Sequence, residues 1–134
     1  MIPPLHRDSQ TLLLIRTDFS DDETWAKIPA AAGLHACIEP VDELANREVG
    51  VAELLSELPS FASGLMVADR LTMTSQEFLV LICPLGAEVA QFRAPAAHLA
   101  YVANPIMLGL RNWTEVAGLV NEHGVFSIKV PEGY

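Results

Sequence analysis

An apolar run that turns within a few residues into an acidic helix start constrains this chain more than any other feature. Thr11-Leu12-Leu13-Leu14-Ile15-Arg16-Thr17 reads as a strand covered on both faces, because Leu12 to Ile15 is apolar at every position instead of every second one. Ser20-Asp21-Asp22-Glu23 follows. Ser20 and Glu23 have the spacing of a capping box, and Asp21 and Asp22 fall in the first turn, beside the positive end of the helix dipole. Trp25 and Ile28 supply the inward face of that helix. Pro29 predicts that it is short or kinked, since proline lacks a donor and clashes one turn back, and Gly33 closes the unit.

The rest of the chain extends the same alternation. His35 to Val41 reads as a second strand, with Pro40 marking an edge or an exit. Val51, Leu54, Leu55 and Leu58 recur at helical spacing and Pro59 stops the helix. Leu65-Met66-Val67-Ala68-Asp69 is a third strand. Phe78 to Cys83 and Glu88 to Phe92 form two more, joined by Pro84-Leu85-Gly86-Ala87 as an antiparallel hairpin. Pro95 opens a helix carrying Leu99, Tyr101 and Val102, which Pro105 interrupts. Asn112 and Glu115 repeat cap chemistry before Trp113, Val116, Leu119 and Val120, Gly124 ends that helix, and Val125 to Val130 is a last strand or tail. The expected fold is α/β, a single domain over residues 1–134 with residues 1–10 as an extended arm. Its sheet is mixed and mostly parallel, flanked by helices, with an antiparallel hairpin in the C-terminal half, on a thioredoxin-like or flavodoxin-like plan.

Charge and composition narrow the partners. A chain of 134 residues, 51% hydrophobic, is long enough to bury one sizeable core. Its net charge of −9, from 17 acidic against 8 basic residues, repels phosphate backbones and anionic headgroups, so nucleic acid and membrane surfaces are poor partners. A basic protein or a cation suits it better, and a homodimer is compatible with it. The first ten residues have neither the apolar stretch nor the cleavage pattern of a signal peptide, and no apolar run approaches a membrane span, which points to the cytoplasm. Cys37 and Cys83 are isolated in apolar segments and read as small buried hydrophobes, with their redox state open.

Two stretches resemble a family of small bacterial proteins classified only as a domain of unknown function. Leu14-Ile15-Arg16-Thr17-Asp18-Phe19-Ser20-Asp21-Asp22 with Trp25 is similar to that family's hallmark, a strand leading into Arg-Thr-Asp-Phe-Ser-Asp. Ala103-Asn104, continuing through Trp113, Glu115 and Ala117 to Gly124-Val125-Phe126, resembles its second motif, with Pro105 at a position where asparagine is expected. Leu65 to Asp69 adds to the similarity, which spans most of the chain. The resemblance implies one intact domain and carries over no activity, cofactor or partner.

The residues with chemistry to offer lie near strand ends. If the first and third strands are parallel neighbours, Asp18 and Asp69 emerge at one sheet edge beside Asp21 and Asp22, the edge where open α/β sheets bind ligands. Carboxylates converging there suit Mg²⁺, with Arg16 or Arg70 clamping an anionic oxygen, and the reaction class would be metal-assisted phosphoryl transfer or hydrolysis. Against this, Ser20 to Glu23 is what a helix start requires, and neither G-x-x-x-x-G-K-[ST] nor G-x-G-x-x-G occurs. Arg16 is equally well satisfied by Asp18 or a neighbouring carboxylate. His6, His35, His98 and His123 lack metal-site spacing, and no G-x-S-x-G elbow is present. His98 and Tyr101 lie one turn apart, and Tyr101, Met107 and Trp113 could line an apolar pocket, but packing explains both more cheaply. The leading expectation is a non-catalytic, acidic interaction or accessory module, such as an immunity protein that neutralises a basic toxin, with no cofactor. The alternative is a Mg²⁺-dependent enzyme using Asp18, Asp69 and Arg16.

Overall fold

The computed structural model of the protein describes residues 1–86 and 88–128. Ten regular elements follow in order: β1 (Leu12–Arg16), α1 (Asp22–Ala32), β2 (Ile38–Val41), α2 (Val51–Ser56), β3 (Gly64–Ala68), α3 (Arg70–Thr74), β4 (Leu79–Pro84), β5 (Phe92–Pro95), α4 (Leu99–Met107) and α5 (Trp113–Ala117). Short 3₁₀ turns occupy Leu44–Asn46 and Ala96–His98. The strands form one sheet in the order β2-β1-β3-β4-β5. β1 pairs in parallel with β2 and β3, whereas β3–β4 and β4–β5 are antiparallel. This is the mixed, mostly parallel α/β sheet expected from the alternation, with the antiparallel hairpin in the C-terminal half.

Period-two alternation sends the residues of each strand into two cores. Leu12 and Leu14 of β1 join Met66, Ile82 and Ala94 on the face covered by α1, α4 and α5, where Trp25, Ile28, Leu99, Val102, Trp113 and Val116 are buried. Leu13 and Ile15 join Leu65, Val67 and Cys83 on the opposite face, under Leu54 of α2. β1 is therefore buried at every position, which is why its sequence does not alternate. Each such aliphatic side chain contributes roughly 1.5–3 kcal/mol through burial. Gly64 is required where β3 meets β4: its φ is +152°, and a Cβ there would collide with the Cys83 carbonyl oxygen.

Several boundaries differ from expectation, each for a physical reason. Asp21 caps α1 in place of Ser20: its carboxylate accepts from the Thr24 backbone N–H at 3.0 Å. α1 continues through Pro29 to Ala32, and Gly33, at φ 97°, closes it as expected. β2 is an edge strand that begins only at Ile38, and Pro40 sits within it because an edge position needs no donor on its outer side. Asp69 is not the end of a strand but the cap of α3, a helix that apolar periodicity does not reveal because Arg70-Leu71-Thr72-Met73-Thr74 is barely one turn. β5 lies at Phe92–Pro95, not Glu88 to Phe92, so Pro95 ends a strand and precedes a 3₁₀ turn. Pro105 is accommodated inside α4. The capping box of Asn112 and Glu115 is present, but α5 stops at Ala117, and Gly124 lies in a turn beyond it. Val125 and Phe126 make single bridges to Arg93 and Val120, while Lys129 and Val130 of the expected last strand, and Ala87 of the hairpin turn, lie outside the described residues.

Candidate functional site

β1, β2 and β3 all run toward one edge of the sheet, so the residues that follow them, Thr17-Asp18, Asp42 and Asp69, gather along it. This is the ligand-binding edge of open α/β sheets. Arg16, the last residue of β1, is 3% exposed and organises the first half of that edge. Its guanidinium donates to Asp22 Oδ1 at 2.6 Å, to Asp42 Oδ1 at 3.3 Å and, through Nε, to the Asp18 carbonyl oxygen at 3.1 Å. Phe19 and Trp25 flank the cation, with its Cζ 4.4 Å and 5.6 Å from their ring centroids. The aromatic rings shield it from water and add cation–π attraction. The two carboxylates it holds remain in solvent, Asp22 at 89% exposure and Asp42 at 52%.

The other acidic residues of the edge have partners of their own. Asp18 Oδ1 accepts from the Ser20 backbone N–H at 2.9 Å and from the Ser20 hydroxyl, closing a local turn. Asp21 Oδ2 accepts from the Thr24 hydroxyl at 2.6 Å, and this bond, with the Thr24 backbone N–H, holds the Asp21 carboxyl below its ordinary pKa. Asp69 receives both arms of Arg93, at 2.7 and 2.8 Å, and the Thr72 N–H at 3.2 Å. Burial pushes the Asp69 carboxyl up, but the Arg93 bonds and the Thr72 N–H outweigh it and the net shift is downward. Arg93 also donates to the Leu79 carbonyl, so the pair ties the start of α3 to β4 and β5.

Asp18 and Asp69 thus share an edge but bond to different partners, Ser20 and Arg93, and Asp21 and Asp22 face Thr24 and Arg16 respectively. Among the described residues, no three His, Cys, Asp or Glu side chains are grouped to hold a metal ion. Arg70 is exposed on the first turn of α3. Tyr101, Met107 and Trp113 do not line one cavity: Trp113 is in the core with its indole N–H on the Ser63 carbonyl at 2.8 Å, and Tyr101 is exposed beside His98. Cys37 and Cys83 are both free thiols, and burial pushes the Cys83 thiol up to about 12.

The profile of a domain of unknown function, DUF6924, matches residues 11–128, nearly the whole chain. The chain belongs to this family. A candidate septum site-determining protein MinD of Mesostigma viride is 28% identical over 67 residues, which is 48% of this chain and 23% of that protein. The chain therefore spans about a quarter of the length of the curated relative it matches.

Within this DUF6924 chain, the residues that sequence reasoning missed are Asp42 and Arg93. Each completes an ion pair with a residue that had been singled out, Arg16 or Asp69, from 26 and 24 positions away. Strand order was the only signal capable of finding them, because Asp42 follows the strand beside β1 and Arg93 lies two strands from β3.

Proposed function

We propose that this domain is a non-catalytic interaction module that presents a fixed acidic rim to a basic protein partner, as an immunity-type protein does. The observation that carries this reading is the Arg16 hub: a buried guanidinium holding two solvent-facing carboxylates, Asp22 and Asp42, in set positions. Pre-positioned charge lowers the ordering cost of association, and an excess of acidic residues steers a cationic partner toward the rim. Of the two arginines that a phosphoryl-transfer reading would use, Arg16 is engaged with three oxygens, while Arg70 is exposed on α3. The order β2-β1-β3-β4-β5, with β4 reversed, supports a flavodoxin-like over a thioredoxin-like plan, and the acidic rim lies at the edge where open α/β sheets bind ligands.

The test is capture from the native host at low salt and at about 0.5 M salt, where the Debye length falls to a few ångströms. A basic protein retained at low salt by the unaltered chain, and lost with Asp22→Asn/Asp42→Asn, supports the reading. Stable Mg²⁺ binding abolished by Asp18→Asn, with turnover of a phosphorylated substrate and no retained partner, overturns it in favour of the metal-dependent alternative.

A further inference from the structure

The opposite edge of the sheet holds a cavity of about 190 Å³. It lies where the chain enters β1 and β3, between the arm at Leu5–Ser9, the segment Phe61–Gly64 and the end of α4. In a chain with 17 acidic residues, no Asp or Glu among the described residues lines the cavity. Arg7 and His6 stand at its rim, and the Arg7 guanidinium lies 5.3 Å from the centroid of the Phe61 ring. Among the described residues Arg7 has no carboxylate partner. The hydroxyls of Ser9 and Thr11 lie 3.2 Å apart on the same wall. The carbonyl end of α4 would oppose an anion, but the Asn104, Pro105 and Ile106 carbonyls are taken by the amides of Leu108, Leu110 and Gly109, so α4 contributes the apolar side chains of Ile106 and Met107.

We infer that this cavity binds a small carboxylate with a short apolar tail, the carboxylate meeting Arg7, Ser9 and Thr11 and the tail lying against Ile106 and Met107. A guanidinium lying over an aromatic ring keeps its in-plane donors free, and the hydroxyl of the Ser9–Thr11 pair whose O–H is not given to the other supplies one further donor for a carboxylate. The volume is below the roughly 300–1,000 Å³ of pockets for drug-sized ligands, which limits the occupant to a few carbons beyond its acid group. This inference is independent of the acidic rim, which lies at the other end of the strands.

Titration of the full chain with hexanoate and, separately, with hexylamine, followed by amide and indole NMR shifts, tests it. Trp113 is a built-in reporter because its indole N–H is bonded to Ser63, a residue of the cavity wall. Saturable hexanoate shifts at Thr11, Ser63 and the Trp113 indole, absent with hexylamine, are expected. Arg7→Gln weakens hexanoate by about tenfold, the loss of one charge-assisted bond, while Arg111→Gln, at a position that does not line the cavity, has no effect. Shifts that do not saturate, equal shifts with hexylamine, unchanged affinity in Arg7→Gln, or an equal loss in Arg111→Gln each overturn the assignment.

Discussion

Arg16 and Arg93 both reach carboxylates along the carboxyl edge of the sheet, but they divide burial with their partners in opposite ways. Arg93 and Asp69 share it almost evenly, at 20% and 30% exposure, and meet fork to carboxylate. Such a pair is closed: each charge neutralises the other, and what the pair does is hold α3 and β5 across β4. Arg16 keeps the whole burial cost on the cation, while Asp22 and Asp42 stand in water. That pair is open on its acidic side, so the same chemistry that fastens one region in place displays charge in the other. The lesson is that an ion pair at a ligand-binding edge is informative through the exposure of each partner, not through its distance alone.

Removing the buried cation should have the largest effect. Arg16→Met is expected to destabilise the protein by about 3 kcal/mol through loss of the charge-assisted bonds to Asp22, Asp42 and the Asp18 carbonyl together. No buried charge is stranded, because the carboxylates left behind are solvated. Arg16→Lys restores only part of the loss, since a point charge cannot span Asp22, Asp42 and the Asp18 carbonyl together. Urea-denaturation midpoints measure both, and a neutral Arg16→Met would remove the distinction between the two arginines. Asp69→Asn should cost less, about 1–2 kcal/mol, because asparagine still caps α3 and the pair is partly solvated. The sign of its pH dependence follows from the lowered carboxyl. The folded state binds the Asp69 proton less readily than the unfolded state, so this stabilisation is present above the ordinary value of 3.8 and is lost as pH falls below it. Acid-unfolding profiles of Asp69→Asn should therefore be flatter below about pH 4 than those of the unaltered chain.

Asp21 and Asp69 sharpen the contrast, because both cap helices and only Asp69 also carries an arginine. Asp21→Ala should lower the melting temperature measurably by undoing the start of α1, and with it the placement of Asp22 on Arg16. Ser20→Ala should lower it less, since Ser20 supports only the Asp18 turn. An equal or larger fall for Ser20→Ala would restore Ser20 as the cap.

That distinction marks how far the chain is legible before it is folded. The runs Leu12–Ile15 and Leu65–Ala68 announce buried strands because continuous apolar character has few other uses at that length, and alternation favours parallel pairing, but that β1 lies beside β3 is visible only in the sheet order. The cap is off by one because Ser20, Asp21 and Asp22 are all competent acceptors, and the choice depends on the loop that Arg16 draws in through the Asp18 carbonyl. The partners Asp42 and Arg93 are hidden because periodicity reports local structure only. α3 escapes notice because one turn of helix buries too little, Thr72 and Met73, to impose a period.

The smallest effect on stability belongs to the exposed side of the open pair, and it is the most direct probe of what that side is for. Asp22→Asn and Asp42→Asn should each change unfolding free energy by only about 1 kcal/mol, because the carboxylate that remains still partners the buried Arg16 guanidinium. The double variant strands that cation and costs more. Against a basic partner the double variant should slow association several-fold at low salt, with the gap closing as ionic strength rises, since steering acts through the screened long-range field. Stopped-flow association across a salt series separates this from a contact effect, which would appear in the dissociation rate and persist at high salt. The matching change at the closed pair, Arg93→Met, should shift stability and leave the association rate untouched. A double variant that associates at the unaltered rate at every salt concentration would make Asp22 and Asp42 fasteners like Asp69, and the acidic rim would lose its role in binding.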